Sequence, residues 1–400
     1  MFDANNLIEW ANLLVRFIHL VTGIMWIGSS FYFIWLDSAF VPPASPRPNV
    51  DGEVFMVHGG FYYQVEKKKI APGDLPKTLH WFKWEATFTW ITGFVLLTLV
   101  YYLTGGVYLV DPRVSSITPG QASLLGMGLI VGGWLLYDLL WRSPLSRVSW
   151  LASALSIGLA GGAVWLTTHT LSGRAAYIHI GALFGTLMVL NVWVHILPAQ
   201  RRMLGQAQAG QTPDYSIGLL GKKRSVHNTY MTFPVLFIML SNHFPSTYNH
   251  PQNWLVLILI IVAGALARHV MVTKVPAQRW LAIPSAAAIL LLMYMTGPGA
   301  KAAELAKLAE GPAVPFATVR GILAERCLPC HSEHPTDEVF KVAPNGAMFD
   351  TPERVSLSAA KIHERVFVLR NMPLANKTHL TDEERSTLAR WFAQGAKTRD

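Results

Sequence analysis

The chain has 400 residues, of which 52% are hydrophobic and only 14% are charged, and its mean hydropathy is +0.32. Soluble globular domains carry about a quarter charged residues, so this composition excludes a protein that is soluble along its whole length. The formal net charge is +9, but no basic stripe with interleaved aromatic residues accompanies it, so we predict no nucleic-acid partner.

Eight segments are long and apolar enough to cross about 30 Å of hydrocarbon, which takes roughly 20 residues. Pro234 interrupts the sixth, which is the weakest of them. The predicted spans are 12–36, 85–104, 121–141, 148–170, 176–197, 227–244, 253–272 and 279–297. The predicted fold class is therefore all-α, with a polytopic membrane helix bundle in residues 1–298 that interacts with a lipid bilayer.

Lysine and arginine are concentrated in alternate connections between these segments. The first connection holds six and the fifth holds five, whereas the second and fourth hold one each and the sixth holds none. Basic connections face the cytoplasm, so both chain ends are predicted to lie outside. The N-terminal MFDANNLIEW has no basic n-region, so the first span is expected to remain as an anchor.

The first span carries a polar stripe. Arg16, His19, Gly23, Trp26 and Ser30 are spaced by three or four residues and share one helix face. Ionisable residues inside spans are costly and usually functional, so Arg16 and His19 are candidate catalytic residues. The alternative is structural, with Arg16 reaching outwards and His19 bonded to a neighbouring carbonyl.

The other span histidines fall into two layers under this topology. The outer layer has His19, His169, His179 and His243; the inner layer has His195, His227 and His269, together with Asp37, Glu85, Asp138 and Arg268. His179/His195 and His227/His243 are each 16 residues apart, which is about 24 Å of rise but about 160° of rotation. That spacing argues against a stacked cytochrome b design and leaves room for one non-covalent haem b between outer histidines.

Residues 299–315 are rich in alanine and bounded by glycine and proline, so we predict a linker with about two helical turns. Beyond it, residues 316–400 hold 12 Lys+Arg and 11 Asp+Glu, an ordinary soluble composition. This region contains the two cysteines of the chain, in the motif Cys327-x-x-Cys330-His331. Such a motif is either a redox dithiol, which needs a thioredoxin-like sheet, or a covalent attachment site for haem.

The surrounding sequence favours the haem interpretation. FATVRGILAERCLPCH predicts an amphipathic helix that leads into the motif, and RNMPLANKTHL offers the thioether of Met372 next to a proline. LTDEERSTLARWFAQGA predicts a closing helix with a capping box at Thr381–Glu384. Its apolar side chains Leu388, Trp391 and Phe392 lie on one face.

Helix, attachment motif, methionine loop and closing helix together resemble the class I cytochrome c domain. The resemblance implies one covalent haem c on Cys327 and Cys330, with His331 and Met372 as the axial ligands of the metal. Met348 is the rival sixth ligand. Ligation by His and Met raises the haem potential. Haem is attached to such motifs outside the bacterial inner membrane, which agrees with the loop charges.

The whole chain resembles the membrane-bound bacterial urate oxidases of the PuuD type, in which an integral membrane domain is fused to cytochrome c. The resemblance rests on FIHLVTGIMWIGSSFYFIWLD, HWFKWEATFTWITG, NVWVHILPAQRRM and HNTYMTFPVLFIMLSNHF, besides the haem motif. The first-span pattern also resembles the HemJ-type protoporphyrinogen oxidases, where the equivalent histidine binds haem, and this keeps haem b as a candidate cofactor.

The first resemblance implies an enzyme of purine degradation that oxidises urate to 5-hydroxyisourate. The electrons would pass to the fused cytochrome c domain, then to a downstream cytochrome c or terminal oxidase, without release of hydrogen peroxide. Histidine is suited to act as the base, so the inner layer with Asn191, His195, His227 and His269 competes with the outer layer as the substrate site. The alternative function is an electron-transfer subunit between quinol and a terminal oxidase.

Overall fold

The computed structural model describes residues 4–73, 75, 78–297 and 299–398, and most of them are helical. The helices are α1 Ala4–Ala39, α2 Trp84–Leu97, α3 Pro119–Arg142, α4 Ser149–Thr168, α5 Gly173–Leu190, α6 Leu197–Gln208, α7 Tyr215–Leu240, α8 Pro245–Tyr248, α9 Asn253–Val272, α10 Ala282–Thr296, α11 Gly299–Ala309, α12 Phe316–Arg326, α13 Pro352–His363 and α14 Asp382–Ala393. Segments of π-helix follow α2, α5 and α13, at Thr98–Tyr102, Asn191–Ile196 and Glu364–Val368.

Seven helices in the described part of the chain are long and apolar enough to cross a membrane, which is compatible with a multi-pass membrane protein. They are Leu7–Ala39, Trp84–Tyr102, Pro119–Arg142, Ser149–Thr168, Gly173–Gln208, Asn253–Val272 and Pro276–Thr296. Each overlaps a predicted span. The predicted sixth span, 227–244, is not among these seven, because α7 ends at Leu240 and its first half carries Lys222, Lys223 and Arg224.

A two-stranded antiparallel hairpin interrupts the helical pattern. Strand β1, Val50–His58, pairs with β2, Phe61–Lys68, through a turn in which Gly59 and Gly60 have φ angles of 60° and 82°. Two consecutive positive φ angles suit glycine and match the twist of a tight hairpin. Arg47 forms ion pairs with Glu53 and Glu66 on the two strands. This hairpin was not predicted from the sequence.

The chain divides into two compact units, each assembled from separate segments. The first unit contains the chain up to Leu97, Phe184–Val235 and Gly264–Ala282. The second contains Thr98–Leu183, Leu236–Ala263 and the chain from Ile283 onwards.

Residues 299–398, which we call the tail, form a helical structure around their own core. Val319 and Leu323 of α12 pack with Val355 of α13 and with Leu388 and Trp391 of α14. Burial of each large apolar side chain contributes about 2 kcal/mol. The structure confirms the predicted helix before the cysteines and the capping box on α14; α13, which lies between them, was not predicted.

The segment predicted as a linker is mostly helix α11, and it is attached to the tail. The Gln394 side chain at the end of α14 donates to the carbonyl oxygens of Gly311 and Pro312 at 2.9 and 3.2 Å, and accepts from the amide of Val314 at 3.0 Å. These contacts fix the chain between α11 and α12 to the closing helix.

Candidate functional site

The cysteine motif lies in a tight turn at the end of α12. The amide of Cys330 donates to the carbonyl of Cys327 at 3.1 Å, and the amide of His331 donates to the same oxygen at 2.8 Å. This turn places all three side chains on the wall of a cavity of about 630 Å³, which we call the tail cavity. Met348 and Met372 also line it.

The imidazole of His331 is held from behind. Its Nδ1 lies 2.9 Å from the carbonyl oxygen of Ala347, so Nδ1 carries the proton and donates. The ring stacks on Phe349 with centroids 5.1 Å apart. A metal-binding histidine commonly donates its second nitrogen in this way, and here Nε2 makes no hydrogen bond with any described residue. The His331 ring is therefore fixed in orientation and has one nitrogen free, as expected of an iron ligand.

The two candidate methionines differ in their partners. The sulfur of Met348 lies 3.8 Å from Nη1 of Arg354, and Met348 directly follows Ala347, whose carbonyl holds the back of the His331 ring. Met372 packs against the tail core instead. The sulfur of Met348 thus has a contact of its own beside Arg354, and Met372 remains the thioether that would hold the iron together with His331.

Arg385 holds the loop that carries Met372. It is only 1% exposed, and Nη1 donates to the carbonyl oxygens of Val366 and Met372 at 2.8 and 2.7 Å. Its Nη2 donates to Asn376. Burial lowers the pKa of Arg385 to about 10, so it stays charged at neutral pH. Sequence analysis missed it, although an arginine on the apolar face of α14, three residues before Leu388, was a usable signal.

The charges around the tail cavity suit an anionic group. Of the residues that the structure describes, six basic ones line it and no acidic one does: Arg174, Arg326, Arg354, Lys361, Arg365 and Lys377. Three of them pair with carboxylates, as Lys377 does with Asp337 at 2.6 Å. Among the described residues no carboxylate lies within ion-pair distance of Arg174, Lys361 or Arg365.

These observations fit a haem better than a redox dithiol. Burial, reinforced by the neighbouring Cys330, raises the pKa of Cys327 to about 12, and burial beside Asp337 raises that of Cys330 to about 11. Redox dithiols need a lowered thiol pKa, and the described part of the tail contains no strand. Two thiols, an imidazole with one free nitrogen, a thioether and unpaired cations are what a covalently attached porphyrin with two carboxylates requires.

A second polar cluster lies in the first unit, on α7 and around the end of α9. Nε2 of His269 lies 3.1 Å from Oε1 of Gln278, an oxygen that also accepts from Thr273. His269 therefore donates from Nε2, and its Nδ1 accepts from the Tyr230 hydroxyl at 2.7 Å. The two rings stack with an interplanar angle of 18°. This pair can receive a proton at Tyr230 and pass one to His269.

Arg268 precedes that histidine and is 1% exposed. Its guanidinium carbon lies 4.0 Å from the ring centroid of Phe31 and 5.5 Å from that of Phe233. Within the described residues, neither Nε nor Nη2 has a hydrogen-bond partner. Burying an unsatisfied charged donor is expensive, so this guanidinium has the properties of an anion-binding group.

The family model described as urate oxidase N-terminal matches residues 5–297. The chain belongs to the urate oxidase N-terminal family. No curated protein and no solved structure matches it. The matched region contains both Arg268 and the Tyr230–His269 pair and ends before the tail.

Two other predicted histidines of this urate oxidase family member lie on α7 and on a segment bonded to it. His195 is in the π-helical segment after α5, and His227 is on α7; both are half-buried. The two segments are joined beside these residues, because Nδ2 of Asn191 donates to Oδ1 of Asn228 at 2.9 Å. The inner-layer residues thus come from three elements that α7 connects.

The residues of the polar stripe on α1 differ in their exposure. His19, Gly23, Trp26 and Ser30 are half-buried, whereas Arg16 is exposed and donates to Asn12 of its own helix at 2.6 Å. Nδ1 of His19 lies 3.0 Å from both the carbonyl of Thr89 and the hydroxyl of Thr92. This is the carbonyl contact of the structural alternative, and it leaves Nε2 of His19 available.

In the predicted outer layer of this family member, His179 uses both ring nitrogens. Nδ1 lies 2.8 Å from the carbonyl of Ala175, and Nε2 lies 2.9 Å from the hydroxyl of Tyr102. His169 stacks on Trp165. An iron ligand needs a free nitrogen, so His179 would have to release Tyr102 to bind a haem b, and that cofactor stays a prediction.

Proposed function

We propose that this protein is a membrane oxidoreductase that oxidises urate to 5-hydroxyisourate in purine degradation. The observation that carries the proposal is the urate oxidase family match across residues 5–297. The overall change is urate plus water giving 5-hydroxyisourate, two protons and two electrons. The site must therefore bind a planar anion, accept protons and exclude molecular oxygen as the immediate acceptor.

Arg268 supports the binding of an anion. Urate carries a negative charge at neutral pH, and its carbonyl oxygens can accept the hydrogen bonds that Nε and Nη2 of Arg268 do not make with the described residues. The rings of Phe31 and Phe233, whose centroids lie 5.9 Å apart, offer aromatic surfaces beside this guanidinium. Movement of one ring would admit the purine plane to Arg268.

The Tyr230–His269 pair supports the proton transfer. The Tyr230 hydroxyl can take an N–H proton of urate while giving its own to Nδ1 of His269, which lies 2.7 Å away. Gln278 orients the imidazole through Nε2. His195 and His227 are the alternative bases, and His19 with Arg16 is the candidate outer site.

The tail supports a covalent haem c. Cys327 and Cys330 would hold the porphyrin through thioethers, and His331 and Met372 would hold its iron. A haem bound there would supply a one-electron acceptor for the electrons that urate releases, ahead of a downstream cytochrome c or terminal oxidase. The basic connections support placement in the bacterial inner membrane, with the N-terminus and the tail on the periplasmic side. This orientation counts 227–244 as an eighth crossing beside the seven helices.

Membranes that contain the protein test this function. Added urate should be consumed without hydrogen peroxide, and the α-band of a reduced c-type haem should grow. Reduction by a quinol, with urate consumption absent, would replace the proposal by the electron-transfer alternative. A pyridine haemochrome spectrum of the purified protein identifies the haem types. One c-type haem per chain with no b-type haem would contradict the prediction of haem b.

Arg268→Gln tests the substrate site. Loss of a charge-assisted hydrogen bond costs about 1.5–3 kcal/mol, so we expect kcat/KM for urate to fall about ten- to a hundredfold while dithionite still reduces the haem. Arg279→Gln is the matched control, because Arg279 lies nearby in the sequence but is exposed. Equal kinetics in the two variants would remove Arg268 from the site.

A further inference from the structure

Two residues in the wall of the tail cavity do not belong to the tail. Tyr108 lies in the connection between α2 and α3, and Arg174 lies in the first turn of α5. Both fall inside the region that matches the urate oxidase N-terminal family. The cavity is therefore completed by the membrane part of the chain.

Several contacts hold this wall in place. The guanidinium carbon of Arg174 lies 4.6 Å from the ring centroid of Tyr108, and Nε donates to Oδ1 of Asn242 at 3.0 Å. The Ser172 hydroxyl donates to the carbonyl of Tyr108 at 2.7 Å. Arg174 has thus a neutral hydrogen-bond partner and an aromatic support, and its charge is not cancelled by a described carboxylate.

The same part of the membrane region also contacts the loop before Met372. Nδ2 of Asn249 donates to the carbonyl of Leu369 at 2.9 Å. A small cleft beside it is lined by residues of both parts, among them Tyr108, Arg174 and Leu374. These contacts bring the Met372 loop and the Arg174 wall to the same edge of the cavity.

We infer that Arg174 and Tyr108 are part of the haem-binding site, with Arg174 stabilising negative charge in the cavity and Tyr108 covering it from water. The inference rests on the proposed haem c. The negative charge is that of the porphyrin carboxylates or of the added electron, and in either case a nearby cation favours the reduced state. The tail is then not a self-sufficient electron carrier, because the family-matched region sets part of its potential.

Redox titration of the full-length protein in detergent tests this inference. Arg174→Gln should lower the midpoint potential, and a tenfold higher ratio of oxidised to reduced haem at the wild-type midpoint corresponds to about 59 mV for one electron. Arg174→Lys keeps a cation and should recover most of the difference. Arg320→Gln is the control, since Arg320 is exposed on α12 and does not line the cavity.

Tyr108→Leu gives a second measurement, in which the Arg174 charge is kept and the ring that supports it is removed. Removal of the ring admits water, and a more polar surrounding stabilises the more highly charged oxidised iron, so the potential should again fall. Potentials equal to that of Arg320→Gln in both variants, with haem attached, would overturn the inference and leave the haem proposal intact. A wild-type protein without c-type haem would overturn both.

Discussion

At the scale of single residues, Met372 and Met348 both line the tail cavity, but only Met348 has its sulfur beside a guanidinium. We predict that Met372→Ala keeps the covalent haem and lowers its midpoint potential, because a thioether ligand raises it. Met348→Ala is the matched control and should change neither spectrum nor potential. The reverse result, measured by redox titration, would make Met348 the ligand.

His363 gives the tail a pH dependence. Its ring lies 4.2 Å from the ring of Phe392 and nearly parallel to it, and its Nδ1 is buried without a described partner. Burial lowers the pKa of His363 below its usual 6.5. The unfolded chain therefore binds the proton more readily than the folded one. The contribution of His363 to the free energy of unfolding is complete above about pH 6.5 and is lost as the pH falls through the folded pKa.

We predict that His363→Phe reduces this acid sensitivity. The thermal unfolding midpoint of the tail, followed by the absorbance of the proposed haem, should fall between about pH 8 and about pH 5 in the wild type and fall less in the variant. The difference between the two proteins isolates His363 from other titrating groups. Parallel curves for both would show that His363 does not carry the effect.

Residue types could be predicted from the sequence, but partners could not. The motif at Cys327 allows a haem prediction from the sequence because its spacing is local. Arg268 and Arg385 were not assigned roles. The lack of acceptors around Arg268 and the hydrogen bonds from Arg385 to the Met372 loop both depend on residues that are distant in sequence. For Arg268 the available signal was a guanidinium next to His269 in the last turn of a very apolar helix.

At the scale of elements, α3 and α5 meet at a glycine. A Cβ on Gly126 would lie 2.5 Å from Nε2 of His179 and 2.9 Å from the Tyr102 hydroxyl. We predict that Gly126→Ala separates the His179–Tyr102 pair and lowers the thermal unfolding midpoint of the purified protein by several degrees, as overpacking costs about 1–3 kcal/mol. Gly128→Ala, which meets nothing within 4 Å, should be neutral. Equal midpoints would contradict the close packing.

The capped helix α14 was predicted from a local sequence signal, whereas helix α13 and the hairpin were not predicted although they carry such signals. The capping box at Thr381 needs only residues three apart. Helix α13 begins with similar signals, Thr351 as N-cap and Pro352 at the first position, which the analysis did not use. The hairpin is marked by Gly59-Gly60 between apolar alternating strands. The span at 227–244 differs because α7 begins twelve residues earlier and includes three consecutive basic residues.

At the scale of the whole molecule, the interleaving of chain segments in the two compact units could not be foreseen from contiguous stretches of sequence. Hydropathy gives the order of apolar helices, but not which halves of them pack together. Composition alone predicts several membrane-spanning helices, and the predicted orientation rests on loop charges.

That orientation gives a prediction for intact membranes. Protease added to right-side-out vesicles should remove the tail and its haem, while the connection at 209–214 between α6 and α7 stays protected. Inverted vesicles should show the opposite pattern, with immunoblots against each region as the measurement. A tail that is cleaved only in inverted vesicles would place it in the cytoplasm and contradict the proposed route of electrons.

The bonds of Gln394 have a practical consequence for isolating the C-terminal region. A soluble fragment that starts at Phe316 would lose the acceptors at Gly311 and Pro312 and expose the end of α14. A fragment from Gly299 would retain them, yet it would still lack Tyr108 and Arg174. The midpoint potential of either fragment should therefore be compared with that of the intact chain before it is assigned to the protein.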